Sequence, residues 1–299
     1  MPSRESSQFV PDFLIAGATR CGTTSLHEAL AAHSGVCVPR KKEVKYFYDD
    51  AQYKRGGAYY ATHFSHREDG QICGEVCPLY FEKGFVLTQD GPSSWVPEDD
   101  CAARIHRDYP DVSLLFSLRD PIQRAHSIFW KNKWQGRETA DDFAQAVDEE
   151  LIGKRKPEET PFCFVWRNRY HIHLERWLEL FPKEQLHVLL FEEWVKNPQI
   201  AVDAFQSVMD LPADPQWGAH CFVKSNEGRK LSHPALRSIS AIGDKIPLVR
   251  SFTRRFLTQP GYPPIDPHVY ARLQEEFRED VTFLETFLGR GIDVWLKGV

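Results

Sequence analysis

The amino-acid sequence predicts an α/β fold, in which a single domain holds a central parallel sheet flanked by helices. Short apolar runs alternate along the chain with segments of helical spacing, which is the pattern of strands joined by crossover helices. Such continuous apolar runs are typical of strands that are covered on both faces. The length of 299 residues suits one large domain. We therefore expect a polar, poorly ordered tail over residues 1–11 and one domain over residues 12–299.

Each element has a local signal. The predicted strands are the apolar runs, which span residues 13–16, 36–38, 72–76, 113–118 and 186–191. The predicted helices carry apolar side chains at helical spacing or begin at a proline, which is favourable in the first turn. They span residues 23–32, 99–109, 121–135, 164–181, 198–210 and 266–288. Residues 211–232 are predicted to form a loop.

Composition limits the classes of protein to consider. Hydrophobic residues make up 42% and charged residues 26% of the chain, which is ordinary for a globular enzyme. The net charge of −5 gives no general attraction to nucleic acid or to an anionic membrane. No apolar run approaches the roughly 20 residues of a membrane helix, and no signal peptide is recognisable, so we expect a cytoplasmic protein. The 7 cysteines show no paired spacing and are predicted to be buried, reduced thiols.

A turn with two glycines follows the first predicted strand. Gly17 and Gly22 stand five positions apart, and Thr23, Thr24 and Ser25 open the next helix. Glycines let the backbone curl so that several N–H groups point inward, and the helix N-terminus adds roughly half a positive charge. With the hydroxyl groups, this arrangement predicts a P-loop-like nucleotide-binding core. A turn that merely packs the helix on the strand is the alternative that this motif alone leaves open.

The turn lacks the lysine of a Walker-type loop. Thr23 occupies the position where the pattern G-x-x-x-x-G-K-[ST] has lysine, and the cation of the turn is Arg20. A loop without that lysine is poorly suited to a β/γ-phosphate with magnesium, which makes a small-molecule kinase the weaker alternative. We expect Arg20 and the backbone around Cys21 and Gly22 to hold one phosphate and the group next to it.

A second strand-to-helix junction has the same layout. Arg119 follows the apolar run 113–118, at the carboxyl end of a predicted strand, where ligands of doubly wound sheets bind. Ser127 lies two turns into the helix that Pro121 opens. A strand-end arginine and a serine on the following helix can together clasp a second phosphate.

The two motifs together resemble those of the sulfotransferases that use 3′-phosphoadenosine-5′-phosphosulfate (PAPS), above all the heparan-sulfate type and related bacterial enzymes. Further segments resemble that family in order across most of residues 12–295. They are Lys-Glu-Val-Lys-Tyr-Phe at 42–47, Gly-Glu-Val-Cys-Pro-Leu-Tyr-Phe at 74–81, the helix and turn at 170–182, and Gly-Arg-Lys at 228–230.

The resemblance implies how the cofactor is held. The first loop would bind the 5′-phosphosulfate end of PAPS, and Arg119 with Ser127 would bind its 3′-phosphate. The late basic segment, which consists of Gly228, Arg229 and Lys230, would close over that phosphate.

The resemblance also implies the chemistry. The reaction would be in-line transfer of the sulfuryl group to a hydroxyl or amine, which depends on positioning and charge stabilisation and requires no metal. Glu43 would be the general base that removes the acceptor's proton. Lys45 would stabilise the leaving bridge oxygen or contact the acceptor.

Three positions depart from the family pattern. Arg20 stands where members often carry lysine, Val76 replaces a lysine of the cleft strand, and Glu227 replaces a lysine before the late Gly-Arg. The loss of the last two cations argues against a polyanionic sugar as acceptor and favours a small molecule. A catalytically idle member that binds nucleotide as a scaffold is a further alternative, although Glu43, Arg20, Arg119 and Ser127 together argue against it.

Overall fold

The computed structural model describes residues 9–88, 91–211, 214, 216–222, 229–231, 258–260 and 262–296. The chain forms two compact units. The first consists of Met1–Asp120, Tyr170–Ser225 and Asp280–Val299, and the second of Pro121–Arg169 and Asn226–Glu279. The predicted division into a tail over 1–11 and one domain over 12–299 stays a prediction.

The first unit contains a five-stranded parallel sheet with the strand order β2-β3-β1-β6-β7. A separate antiparallel hairpin, β4–β5, belongs to the same unit. The bounds of these strands are β1 Phe13–Gly17, β2 Val36–Cys37, β3 Ile72–Val76, β4 Phe85–Thr88, β5 Gly91–Trp95, β6 Ser113–Leu118 and β7 Leu186–Leu190. The predicted central parallel sheet is thereby confirmed.

The α-helices are numbered here along the described part of the chain. They are α1 Thr23–Ala31, α2 Asp50–Tyr53, α3 Gly57–Ala61, α4 Cys101–Asp108, α5 Pro121–Trp134, α6 Phe143–Leu151, α7 Tyr170–Leu178, α8 Phe191–Lys196, α9 Gln199–Met209, α10 Pro267–Glu276, α11 Arg278–Leu288 and α12 Asp293–Leu296.

Helices cover both faces of the sheet. Successive side chains of a strand point to opposite faces, so neighbouring residues of β1 pack against different helices. Leu14 and Ala16 of β1 belong to one buried cluster, which also holds Ile105 of α4 and Trp177 of α7. Their neighbours Phe13 and Ile15 belong to the other, which holds Leu26 of α1 and Phe205 of α9. The apolar runs of the sequence are therefore apolar throughout because neither face of the sheet meets water.

The second unit has its own apolar core. Ile128 and Phe129 of α5 pack with Phe143 of α6, with Leu273 of α10 and with Phe164, which precedes α7. A short antiparallel pair also belongs to this unit, formed by β8 Arg229–Leu231 and β9 Thr258–Pro260. The expectation of a loop over 211–232 is thus wrong for β8, since its pairing partner lies far along the chain and no local pattern announces it.

Most predicted elements match the structure to within two residues, and strands 72–76 and 113–118 match at both ends. The long helix expected over 164–181 is wrong, because only a 3₁₀ turn at Trp166–Asn168 precedes α7. The Glu150 carboxylate accepts hydrogen bonds from the backbone amides of Val165 and Trp166, at 2.8 and 2.6 Å. These bonds stabilise a turn that is separate from α7.

The final predicted helix, over 266–288, is also two helices. The Glu276 carbonyl, which a continuous helix would use internally, accepts a hydrogen bond from the Arg169 guanidinium. The helical conformation is interrupted at Phe277, between α10 and α11. None of the seven cysteines, all of which lie within the described residues, forms a disulfide, and all but Cys221 are buried. Within the described ranges, no helix has both the length and the apolar character needed to cross a membrane.

Candidate active site

The turn after β1 lies at the carboxyl edge of the sheet. The Ala18 amide donates to the carbonyl of Ser117 on β6 at 2.9 Å, and the Ser117 hydroxyl donates to the Cys21 carbonyl at 2.7 Å. The Thr19 hydroxyl donates to the Pro78 carbonyl at 3.4 Å. The strands on both sides of β1 therefore hold the turn. Arg20, which is half-buried, has a positive φ of 69° within it.

Gly22 is required at the end of this turn for two reasons. Its φ of 76° lies in the left-handed region, and a Cβ at this position would come within 2.3 Å of the Trp194 ring. Trp194 is itself fixed, because its indole N–H donates to the Ser117 hydroxyl at 3.0 Å. The aromatic packing therefore sets how closely the chain approaches β6 just before α1 begins.

Helix α1 begins directly after Gly22. Among the described residues, no side chain caps its N-terminus, so the first-turn amides are not bonded to a capping side chain and suit an anion. Thr23 and Ser25 are buried in the first turn and Thr24 is half-buried. The structure therefore places the sequence-predicted loop residues together around the start of one helix.

The segment with Glu43 follows β2. The Lys42 ammonium lies 2.6 Å from the Glu43 carboxylate, and the side chains are 19% and 32% exposed. Glu43 and Lys45 both have positive φ values, 60° and 67°. This conformation costs a residue other than glycine roughly 1–3 kcal/mol and is concentrated at functional sites. Arg20, Glu43 and Lys45, which are the three cofactor-binding or catalytic candidates at the sulfuryl end of the site, all share it.

The charges of the Glu43 segment act on a side chain of α1. The imidazole of His27, which α1 buries, is influenced by the charges of both Lys42 and Glu43. Burial first, then the Lys42 charge, lowers the pKa of His27 to about 4. Its Nδ1 is buried and finds no hydrogen-bond partner in the described part of the chain. The Glu43 segment therefore lies beside the helix that begins at the loop.

The residues after β3 complete this side of the site. The Cys77 amide donates to the Ile15 carbonyl of β1 at 3.0 Å, and the Glu43 charge influences the Cys77 thiol. Glu75, on β3, is buried and accepts the Lys45 amide at 3.2 Å. Val76, which stands where the family has lysine, faces the opposite core and is 1% exposed.

Arg119 follows β6 and lies in the first unit. The Tyr170 hydroxyl donates to its carbonyl at 2.6 Å, and its guanidinium lies 5.2 Å from the centre of the Phe191 ring. Its Nε is 3.9 Å from the Glu192 carboxylate, and within the described residues this buried nitrogen finds no hydrogen-bond acceptor. Burial raises the pKa of Glu192, whose carboxylate also accepts from the Trp295 indole N–H at 2.8 Å.

Ser127 belongs to the second unit, where α5 buries it. Its hydroxyl donates to the Tyr262 hydroxyl at 3.4 Å. Tyr262 comes shortly after β9, and its ring lies 5.8 Å from that of His126 and 5.2 Å from that of Trp134. The chain that follows β9 therefore reaches the helix that carries Ser127.

The late basic segment is described only in part. Gly228 lies outside the described residues, and so does Glu227. Arg229 and Lys230 belong to strand β8, whose backbone pairs with β9. Their role in closing over a phosphate stays a prediction.

Four residues that sequence reasoning did not single out contact the segments of the candidate site or lie beside them. The place of Lys42 next to Glu43 in the sequence was a usable signal for it. The importance of His27, Glu75 and Trp194 depends on contacts between distant segments, which no local pattern shows. Within the described ranges, no three His, Cys, Asp or Glu side chains are grouped as a metal site would require.

Comparison with known proteins was made for both sequence and fold. A family model described as "Sulfotransferase family" matches residues 11–215. The mouse (Mus musculus) protein named heparan sulfate glucosamine 3-O-sulfotransferase 5 is 28% identical over 206 residues, which are 69% of this chain and 55% of that protein. A bifunctional heparan sulfate N-deacetylase/N-sulfotransferase 1 of Caenorhabditis briggsae is 25% identical over 260 residues, which are 81% of this chain and 28% of that protein.

The fold comparison agrees with the sequence comparison. A sulfotransferase from Alicyclobacillus acidocaldarius superposes with a TM-score of 0.65 at 23% identity, covering 97% of this chain and 100% of that one. At this level of identity the superposition establishes a shared fold. The chain spans about half the length of the mouse relative. Since the family model covers more than half of the present sequence, the chain belongs to the sulfotransferase family.

Proposed function

We propose that this protein transfers the sulfuryl group of PAPS to a hydroxyl or amine of a small-molecule acceptor. The observation that carries the proposal is the position of the strained, ion-paired Glu43 segment beside α1, the helix that begins at the phosphate-binding turn. A carboxylate next to an anion-binding helix start suits a reaction that removes a proton beside a transferred anionic group.

The residues present suit a nucleotide with anionic groups at both ends. The amides of the uncapped α1 N-terminus, with Thr23, Thr24 and Ser25, would bind the 5′ end, and Arg20 would add a positive charge. Arg119 would bind the 3′-phosphate, which would give its buried Nε the acceptor that the described residues do not supply. From the family resemblance, Ser127 and the late segment of Gly228, Arg229 and Lys230 would contact the same phosphate.

PAPS, when bound, supplies the activated sulfuryl group. Glu43 would accept the proton of the acceptor's hydroxyl or amine as the nucleophile attacks. Lys42, 2.6 Å from that carboxylate, would hold its orientation and add a positive charge near the transferred group. Lys45 would contact the bridge oxygen or the acceptor. Neither the turn nor the Glu43 segment needs a metal ion for these roles.

The acceptor is proposed to be a small molecule. The two named relatives act on heparan sulfate, which is a polyanion. In this chain Val76 is buried in the apolar core at the position where the family has a lysine, and Glu227 replaces a second lysine. A site with fewer cations favours an acceptor of low charge. We propose the cytoplasm as the location, in keeping with such a substrate.

The test measures nucleotide binding and sulfuryl transfer in the full chain. Calorimetry compares adenosine 3′,5′-bisphosphate, adenosine 5′-monophosphate and ATP with magnesium. We expect the bisphosphate to bind at least tenfold more tightly than either of the others. Transfer of radiolabelled sulfate from PAPS is then measured on a panel of phenols, alcohols, amines and heparan sulfate.

Arg119→Ala sharpens the binding test. Because Arg119 is assigned to the 3′-phosphate, its loss should weaken binding of the bisphosphate tenfold or more and leave the 5′-monophosphate unchanged. Arg278→Ala, at a side chain that is 73% exposed, is the control. Preference for ATP with magnesium would favour a kinase instead. Bisphosphate binding without transfer to any acceptor on the panel would favour a nucleotide-binding scaffold.

A further inference from the structure

A buried carboxylate lies behind the Glu43 segment. Glu75, near the end of β3, is 1% exposed. Its Oε2 accepts the hydroxyls of Tyr60 at 3.1 Å and Tyr80 at 3.0 Å. Its Oε1 accepts the Lys45 amide at 3.2 Å, and the Val44 amide also donates to the carboxylate. Two of its four donors are therefore the backbone amides directly after Glu43.

These two amides belong to the strained part of the site. Glu43 and Lys45 hold positive φ values on either side of Val44. Such a conformation persists only where the surrounding structure compensates its cost. The Val44 side chain is buried, and the amides of Val44 and Lys45 are bonded to a carboxylate, which binds donors about twice as strongly as a neutral acceptor. Glu75 therefore supplies polar contacts that hold this backbone.

We propose that Glu75 is a positioning residue that holds the Glu43–Lys45 backbone in its left-handed conformation and thereby aims the Glu43 carboxylate at the reacting groups. This inference rests on the proposed function only for the role of Glu43. The hold on the backbone is independent of which reaction the site performs.

A purely structural role does not require a carboxylate at this position. Burying an ionised group costs several kcal/mol, and an apolar or amide side chain of the same size would fill the space at lower cost. An acceptor that takes two hydroxyls and two amides together needs the lone pairs of both carboxylate oxygens. The arrangement of donors thus favours an ionised carboxylate that organises its neighbours.

Ionisation makes this hold sensitive to pH. Burial raises the pKa of Glu75 to about 7. Once protonated, the group loses its charge and can donate its hydrogen to a tyrosine hydroxyl, so its hydrogen bonds from the backbone amides become weaker. Its ionisable neighbours are neutral at this pH because burial raises the pKa of each; they are Tyr60, Tyr80 and Cys77, and behind them Cys101 and Tyr109. The Glu43 charge acts on one of these neighbours, because it helps to raise the pKa of the Cys77 thiol.

Hydrogen exchange tests the hold directly and needs no acceptor. Exchange of the peptide 40–48 is followed by mass spectrometry in wild type and Glu75→Gln at the same pH. We expect the variant to exchange the Val44 and Lys45 amides at least tenfold faster. Glu150→Gln is the matched control, because Glu150, which is half-buried, also accepts two backbone amides and has a pKa raised by desolvation to about 7, but belongs to the second unit. Equal protection in wild type and Glu75→Gln would overturn the proposal.

Two conservative variants keep the carboxylate and change its hydrogen bonds. Tyr60→Phe and Tyr80→Phe each remove one donor that favours the ionised form, so the pH at which the two amides lose protection should rise by about one unit. Should Glu75→Gln fail to fold, these variants decide the question. An unchanged pH dependence of exchange in both would contradict the proposal.

Kinetic measurements then test whether the hydrogen bonds of Glu75 to this backbone affect the reaction. With labelled PAPS and 2-naphthol, Glu75→Gln should lower kcat about ten- to hundredfold, as a small misplacement of a catalytic group does, and leave the affinity for adenosine 3′,5′-bisphosphate unchanged. In this variant, the change of kcat with pH that the ionisation of Glu75 causes near pH 7 should disappear. If exchange responds but kcat does not, Glu75 does not position the base. If wild type transfers sulfate to no acceptor of the panel, the proposed function fails and the exchange result still stands.

Discussion

The Lys42 ammonium and the Glu43 carboxylate form an ion pair of 2.6 Å, although the two residues are adjacent in the chain. Neighbouring residues in a strand or helix point in different directions, so this contact depends on the left-handed backbone at Glu43. The pair is partly exposed, and such pairs contribute little to stability, about 0–1 kcal/mol. Its importance should therefore show in catalysis and not in the free energy of unfolding.

Glu43→Gln removes the proposed base and keeps its shape. We expect kcat for sulfuryl transfer to fall by about 10²–10⁴, the usual contribution of a general base. The affinity for adenosine 3′,5′-bisphosphate, measured by calorimetry, should be unchanged. Glu28→Gln, at an exposed carboxylate on α1, should retain wild-type kcat. Full activity of Glu43→Gln on its best acceptor would eliminate the base assignment.

Lys42→Met removes the partner of Glu43 and retains most of the side-chain length. Without that contact the carboxylate is free to turn, and the site loses a positive charge, so kcat should fall by about tenfold. The free energy of unfolding, from urea titration, should change by less than about 1 kcal/mol. Lys41→Met serves as the control, since Lys41 is exposed. Equal kcat values for the two variants would show that the ion pair has no catalytic role.

Gly22→Ala tests the packing of the turn against Trp194. Alanine at this position would have to adopt the left-handed φ of Gly22, and its Cβ would lie 2.3 Å from the Trp194 ring. The strained backbone alone costs roughly 1–3 kcal/mol, and the clash adds to it. We expect lower stability and loss of nucleotide binding. Gly136→Ala has a similar φ of 68° with open space around the new Cβ, so it isolates the backbone cost. Equal losses in both variants would mean that Trp194 gives way.

The depressed pKa of His27 predicts a loss of stability in acid. The folded chain holds this imidazole neutral down to about pH 4, whereas the unfolded chain protonates it at its ordinary value near 6.5. The unfolded state therefore binds more protons between these values, and stability falls as the pH drops. Between pH 7 and pH 5 the loss due to His27 should be about 2 kcal/mol.

Urea titrations at pH 7 and pH 5 measure this difference. His27→Gln should lose less stability over the interval than wild type, because it carries no group to protonate. His268→Gln, at an exposed histidine on α10, should behave as wild type. An unaltered pH dependence in His27→Gln would show that the imidazole is solvated or charged in the folded chain.

Local patterns in the sequence were enough for much of the fold. The apolar runs at 72–76 and 113–118 match β3 and β6 at both ends, because a strand buried on two faces must be apolar throughout. The turn between β1 and α1 was equally visible, since its glycines and hydroxyls lie within a few positions of one another. Pairing over long distances was not, and β8 was mistaken for loop because its partner lies at 258–260.

The sequence by itself determined the strands of the sheet and the glycine turn after β1, because each depends on residues that are close along the chain. The family resemblance pointed to Glu43 as the proposed base. Only the tertiary structure decided how Glu43 is held. Glu75 bonds the amides after it, and Lys42 pairs with its carboxylate. His27 lies within reach of both charges of that pair. Burial also decided the protonation of Glu75 and His27, since a pKa depends on the desolvation and the charges that folding brings to a group, and not on its neighbours in sequence.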